Sequence, residues 1–543
     1  MKYCFLLLVI CFQHAKAQRL NKADRAIIQN LKNEVAFLSD DKLEGRMTGS
    51  AGEELAYEYL ADQFSQIGLL PRGDSNTFIQ SFTINQGKEI SSSSHLIING
   101  EDIAPYKDFF PFHFGAQGSL EAFAVPAFKE RNSPWFMDIR ELNQNPVNNP
   151  HFDIDGAIRK QAEAFQRKGA SAVFVFDSAP ENGQLEYRSF SGEPGLKIPV
   201  VFLSSNATKK FLDDPSANLE INLKIETADK IKIGHNVIGY IDNGSPYTII
   251  AGAHFDHLGY GEDHNSLWTG ERAIHNGADD NASGTSLILE LAKMIKKSKL
   301  RNNNYLFACF SGEEMGLLGS KHFTSHPPVN LEQVNYMINA DMVGRLKEPS
   351  HQLNIGGYGT SPVWGKILDA RHKYFQIHFD SSGTGPSDHT SFYLKDIPVL
   401  FFFTGTHSDY HKPSDDADKI NYVGELHVMK YIYQLINETN GMGKLSFSKT
   451  KDPEMNSPRF TVGLGIMPDY SYQGKGVRAD AIVDGKAAQK AGIKTGDIIV
   501  KIDDHSFNDL MDYMKVLSLY KKGDGVKVSV LRDTRPMTFD LVF

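Results

Sequence analysis

The stretch that most constrains this chain runs Asn304-Tyr-Leu-Phe-Ala-Cys-Phe310 and is followed at once by Ser311-Gly312-Glu313-Glu314. Mostly apolar and without polar alternation, it reads as a strand buried on both faces, the kind found inside a parallel sheet. A Ser-Gly break then releases two adjacent carboxylates at the strand's C-terminal end, where open α/β sheets place their ligands. Two neighbouring anions at a half-buried edge repel one another and are costly to desolvate unless a cation lies near them. One resolution is a metal ion held by one glutamate, with the other left free as a base. The other is a solvated pair opening a helix, where the dipole favours acid.

The same pattern of apolar run and polar break recurs from 229 to 442. Strands are expected at 247–253, 305–310, 334–340 and 397–403, and helices at 285–295, 363–374 and 422–436. This alternation predicts a doubly wound α/β domain. Helical spacing at 23–38 and 51–67, with a turn at Leu43-Glu44-Gly45-Arg46 between them, assigns 18–90 to the same domain as its first layer. Residues 91–228 interrupt it with short β-like runs, a helix at 157–168, strands at 169–176 and 198–203, and a short helix at 207–212. Residues 443–457 are polar and read as a linker, and 458–543 form a separate tail. A chain of 543 residues is too long for one core, so about three domains are expected.

Composition narrows the partners. A net charge of −9 argues against nucleic acid or an anionic membrane. Residues 1–17 read as a secretory signal: Lys2, an apolar core from Phe5 to Phe12, and Ala15-Lys16-Ala17 as a small-x-small cleavage site. Its apolar run is too short to span a bilayer, so no transmembrane anchor is expected. Cys4 and Cys11 would leave with it, and Cys309 would remain alone inside a strand, so the exported chain would lack an intrachain disulfide.

Five segments of the α/β domain deliver a hard or borderline ligand beside an apolar run. His254 and Asp256 alternate along extended chain and so point the same way. Asp279-Asp280-Asn-Ala-Ser-Gly284 is a tight turn before a helix. The Glu313-Glu314 pair is the third, Asp341 ends a strand, and Ser408-Asp-Tyr410-His411-Lys-Pro-Ser-Asp415 follows the strand at 397–403. Each alone has a structural explanation, as an N-cap or a hydrogen-bonded strand end. Together, at strand ends of one sheet, they point to a metal centre. Mixed histidine and carboxylate donors suit Zn²⁺ with positions left open for water.

The order His-x-Asp, Asp-Asp-Asn-Ala-Ser-Gly, Gly-Glu-Glu, Asp, Tyr-His resembles the co-catalytic zinc aminopeptidases related to bacterial leucyl aminopeptidase, aminopeptidase Y and glutamate carboxypeptidase. The resemblance implies two Zn²⁺ per chain, with Asp280 bridging. His254 and Asp341 complete one site, and Glu314 and His411 the other. Glu313 would be the general base, Asp256 would hold the ring of His254, and Tyr410 would donate to the developing oxyanion. His257 and His275 flank these motifs and are read as supporting or substrate-contacting groups. Asp388-His389 resembles a family loop whose chemistry the sequence does not assign.

The segment 91–228 resembles the protease-associated domain inserted in exported metallopeptidases. The tail resembles a PDZ domain, with Gly463-Leu464-Gly465-Ile466 matching the loop that cradles a peptide carboxylate. The expected function is thus an exported, periplasmic or secreted, aminopeptidase acting on peptides or proteins. The alternatives are a carboxypeptidase of the same fold, a single-zinc glutaminyl cyclotransferase, and a non-catalytic receptor or scaffold.

Overall fold

The computed structural model describes residues 20–142, 154–178, 185, 187, 195–262, 265–368, 371–450, 462–468, 475–482, 485–508 and 510–543. The signal-like segment 1–17 and residues 451–457 of the expected linker lie outside them. The chain divides into two compact units, one of Met1–Gln80 with Asn236–Asp452, the other of Ser81–His235 with Pro453–Phe543.

The first unit is a three-layer α/β domain. Its helices are α1 (Lys22–Leu38), α2 (Ala51–Ile67), α3 (Gly284–Lys297), α4 (Leu318–Ser325), α5 (His389–Tyr393) and α6 (Tyr422–Thr439), with a short turn of helix at Trp364–Ile367. Its strands are β1 (Thr227–Ile241), β2 (Thr248–His254), β3 (Asn304–Phe310), β4 (Val334–Ala340), β5 (Gln352–Gly356), β6 (Gln376–Phe379) and β7 (Val399–Phe403). They lie side by side in the order β1-β3-β2-β4-β7-β5-β6, with Leu70–Pro71 outside β1. The four central strands are parallel, whereas β1 and β5 run antiparallel to β3 and β7.

Every residue of β2, β3 and β4 is buried, as their apolar runs require. Alternation sends Ile249, Ala251 and Ala253 of β2 into the core shared with α1, α2, α3 and α6. Ile250 goes instead to the opposite core, with Phe323 of α4 and Phe392 of α5. From β2 the chain steps to β3 on one side and then to β4 on the other. The switch point of the sheet therefore lies between β2 and β4, at the carboxyl ends that carry His254 and Asp341.

The second unit is built from separate cores. Within 81–235, one sheet is wholly antiparallel (Glu101–Ile103, His95–Ile98, Leu219–Ile225, Gly118–Ala124). The other places Pro134–Asp138, Ala172–Phe176 and Val200–Leu203 in parallel, with the helix Ile154–Lys168 feeding the middle strand. The tail forms a sheet in the order Ile466–Pro468, Val477–Ile482, Ile498–Ile502, Gly525–Arg532, Arg535–Val542 around its own core.

The two compact units divide inside strands, because Ile79–Ile90 and β1 pair with each other and both cross the division. Three expectations are corrected. Strands β5 and β6 are additional. The helix expected over 363–374 is only Trp364–Ile367, since Leu368 turns extended on the way to β6. Finally, the start of the expected linker is packed: Leu445 is buried in the first unit, its N–H donating to Asn335, and Thr450 bonds the hydroxyl of Tyr393.

Candidate metal centre

Each ligand candidate is placed by a backbone feature. β2 ends on His254 and β4 runs out into Asp341. The turn Ala278–Ser283 leads into α3 and carries Asp280. Its neighbour Asn281 donates to Ala340 O (3.0 Å) and accepts from the N–H groups of Gly284 (2.8 Å) and Met342 (3.2 Å), which locks the turn beside Asp341. β3 ends at Phe310, and Glu313 and Glu314 follow in the next turn.

The side chains converge on two poles. His254 Nε2 lies 3.4 Å from Asp280 Oδ1 and 3.4 Å from Asp341 Oδ1. His411 Nε2 lies 3.2 Å from Asp280 Oδ2 and 3.3 Å from Glu314 Oε2. Asp280 thus turns one oxygen to each pole. Asp341 Oδ1 is buried with no hydrogen-bond donor. Four donor atoms at tetrahedral angles and bond lengths of about 2.0–2.1 Å stand about 3.3–3.4 Å apart, close to the 3.2–3.4 Å from each histidine to its two carboxylate oxygens. The nitrogen and oxygen donors are those zinc takes, so the residues present fit the ion.

The histidines are presented in one tautomer. His254 Nδ1 donates to Asp256 O (3.2 Å) and His411 Nδ1 to Asn265 O (2.9 Å), which leaves each Nε2 lone pair facing inward. His257 Nδ1 sits 2.7 Å from Glu314 Oε1 but 4.0 Å from Asp280 Oδ2. The first is a hydrogen-bond length, so His257 orients Glu314, and the pole closes on His411. The Asp256 carboxylate is 3.7 Å from His254 Nδ1, and it also accepts from Glu313 N–H (3.2 Å) and Thr48 Oγ1 (2.9 Å). The carboxylate therefore fixes the start of the glutamate pair, while the His254 ring is held by the carbonyl of Asp256.

Burial pushes Glu313 well above the usual carboxyl range, and Glu314 and Asp341 beside it add to the rise. Burial acts the same way on Glu314, yet His411 and His257 hold it well below that range. Burial opposes a charge on His254 and His411. The carboxylates facing them nevertheless raise both imidazoles well above their ordinary value.

The structure adds residues that sequence reasoning missed. Asp415 Oδ2 accepts from the N–H groups of Asp279 (2.9 Å) and Asp280 (3.1 Å) and so fixes the turn that carries Asp280. Asp279 faces away, accepting from Gly344 N–H (2.7 Å) and meeting His407 Nε2 at 3.1 Å. These contacts reach backbone or a second layer of side chains, which leaves no periodic signal in the sequence.

Of the other predicted residues, Tyr410 stacks flat on the His411 ring (3.8 Å, 20°). His275 is turned away, its nitrogens 2.7 Å from Ser266 Oγ and 3.1 Å from Ala273 O. Asp388 is buried, and its carboxyl is pushed up by burial to about 7. His389 stacks on Phe401 and is pushed by burial to about 3, hence neutral. In the tail, Gly463 is exposed and Leu464 is buried, its carbonyl accepting from Ala488 N–H (2.7 Å). Gly465 has φ +78° and backs onto Lys486, so a side chain there would clash. Ile466 opens the strand at the end of its sheet order.

Fold and centre together define an α/β domain with a histidine–carboxylate site at its switch point. Residues 236–436 match the family described as Peptidase family M28, and residues 447–542 that described as PDZ domain. It is 28% identical over 276 residues to Aminopeptidase YwaD of Bacillus subtilis (strain 168), covering 48% of this chain and 55% of that protein. It is 28% identical over 260 residues to Leucine aminopeptidase 2 of Trichophyton rubrum, covering 45% of this chain and 48% of that protein. The chain spans about half the length of the curated relatives it matches. Among solved structures it is similar to BSAP, a zinc aminopeptidase from Bacillus subtilis, at 20% identity and a TM-score of 0.42, covering 77% of this chain and 95% of that one.

Proposed function

We propose that the chain is a dinuclear zinc aminopeptidase, and the observation that carries this is the division of Asp280's two oxygens between two three-atom poles of tetrahedral edge length. His254 and Asp341 would hold one ion, Glu314 and His411 the other, and Asp280 both. When bound, such a pair lowers the pKa of a shared water and polarises a peptide carbonyl. Glu313, with Oε2 4.0 Å from His254 Nε2 and its N–H fixed by Asp256, takes the nucleophile's proton and returns it to the leaving amine. Tyr410, stacked beside the second pole, is the proposed oxyanion donor. Aminopeptidase activity in the named relatives favours reading the peptide's free N-terminus.

The PDZ tail is proposed to take peptide C-termini or strands at Gly463-Leu464-Gly465-Ile466. The segment 91–228 is proposed as protease-associated-like, and the signal-like residues 1–17 support export. Digestion of a library of unblocked, N-acetylated and Gln-initiated peptides by zinc-loaded protein, read by mass spectrometry, tests the activity. Stepwise loss of N-terminal residues from unblocked peptides alone is expected. Release of C-terminal residues, or cyclisation of N-terminal Gln with no cleavage, overturns it.

A further inference from the structure

Arg46 sits in the segment that the sequence reads only as a turn, yet it is fully buried. Among the described residues its guanidinium makes no direct ion pair, and it binds four backbone carbonyls. Nε donates to Phe255 O (2.7 Å), Nη1 to Leu38 O and to Asn276 O (2.6 Å), and Nη2 to Gly277 O (3.1 Å). Phe255 lies between His254 and Asp256, and Gly277 precedes the turn that carries Asp280. One side chain thus ties the end of β2, the approach to the bridging turn and the end of α1.

The backbone follows the same path. Arg46 O accepts from His257 N–H (3.3 Å) and Gly45 O from Gly259 N–H (3.1 Å). Arg46 itself has φ +51°, and Gly45 has φ +70° with no room for a side chain between His275 O and Gly259 O. A strained, tightly fitted loop that delivers a buried cation to this place needs a compensating role. Burial lowers the guanidinium to about 10, so the side chain keeps its charge near neutrality, and Asp256, Asp280, Asp415 and Glu314 surround it at longer range.

We propose that Arg46 is a positioning residue of the metal centre, whose planar fork sets the separation between the His254-bearing strand end and the Asp280-bearing turn and supplies fixed positive charge beneath the carboxylates. This rests on the dinuclear reading above. A lysine carries the charge but cannot span four carbonyls. Partners that orient metal ligands are typically worth about 10–100-fold in metal affinity.

The test is zinc titration of the full chain against a chromophoric chelator for wild type, Arg46→Lys and Arg46→Ala, the last with and without N-ethylguanidinium, with circular dichroism as the check on folding. Folded Arg46→Lys is expected to bind both ions about 10-fold or more weakly. In Arg46→Ala, N-ethylguanidinium is expected to recover much of the lost affinity. Wild-type affinity at both sites in folded Arg46→Lys overturns the proposal, even if thermal stability falls. Should Arg46→Ala not fold, Arg46→Lys alone decides. A wild-type chain that binds fewer than two ions contradicts the dinuclear reading instead.

Discussion

Asp280 Oδ1 and Oδ2 face different histidines, and the N–H groups of residues 279 and 280 do not compete for them, because Asp415 has already taken both. Glu313 lies beside the His254 pole without closing it, and His254 offsets only part of the rise that burial and the neighbouring carboxylates give its carboxyl. Replacing it by Gln keeps the shape and removes the proton acceptor. Glu313→Gln is therefore predicted to retain both zinc ions and to lose about 10²–10⁴-fold in kcat; wild-type turnover would remove Glu313 from the role. His254, Glu313, Glu314 and Asp341 were legible in the sequence because each stands at or just past the end of an apolar run, and Asp280 and His411 because of the motifs around them. Arg46, Asp415 and Asn265 were not, since their partners are backbone groups, which every residue carries and no motif marks.

At the scale of elements, α3 is where fold and site meet. Gly284 opens it with helical φ/ψ, and an added Cβ would lie 2.3 Å from Ala340 O and 2.3 Å from Asn281 Oδ1. Ala ordinarily favours a helix over Gly by about 1 kcal/mol. Here the clash is with the carboxyl end of β4 and with the side chain that locks the bridging turn. Overpacking of about 1–3 kcal/mol outweighs the propensity gain. Gly284→Ala is predicted to lower the thermal midpoint and weaken zinc binding, by calorimetry and chelator competition; a raised midpoint would show that the turn yields freely. The buried parallel strands were readable as continuous apolar runs. β5 and β6 were not: they lie toward the sheet edge, carry Asn354 and His378, and are only partly buried. Their pairing, a tertiary outcome, also cuts short the helix expected from spacing over 363–374.

Across the whole molecule, the tail has a core of its own, and each predicted activity can be assigned to a separate piece of chain. Removing residues 462–543 is predicted to leave zinc content and turnover of a small aminoacyl substrate unchanged while abolishing capture of C-terminal peptides. Equal peptide capture by the truncated chain would contradict that division.

The first unit also carries a pH signature away from the centre. Glu34 is 3% exposed, and burial, with Glu290 nearby, raises its carboxyl to about 8 although Lys293 pulls it down. The folded chain then keeps a proton that the unfolded chain releases near 4.5. The stability from this group is complete below about 4.5 and is lost as pH rises to about 8. Glu34→Gln is predicted to flatten the fall in thermal midpoint over that window; parallel curves for the two proteins would exclude Glu34 as its source. The separate tail was visible from the shift in motif, whereas the division into two compact units was not, because two paired strands cross it.

The central claim is that two ions are caged around Asp280. Anomalous diffraction at the zinc edge from crystals grown with zinc measures it directly. Two peaks about 3.5–4 Å apart, one beside His254 and Asp341 and the other beside Glu314 and His411, are predicted. A single peak, or peaks that leave Asp280 out of both coordination spheres, would contradict it.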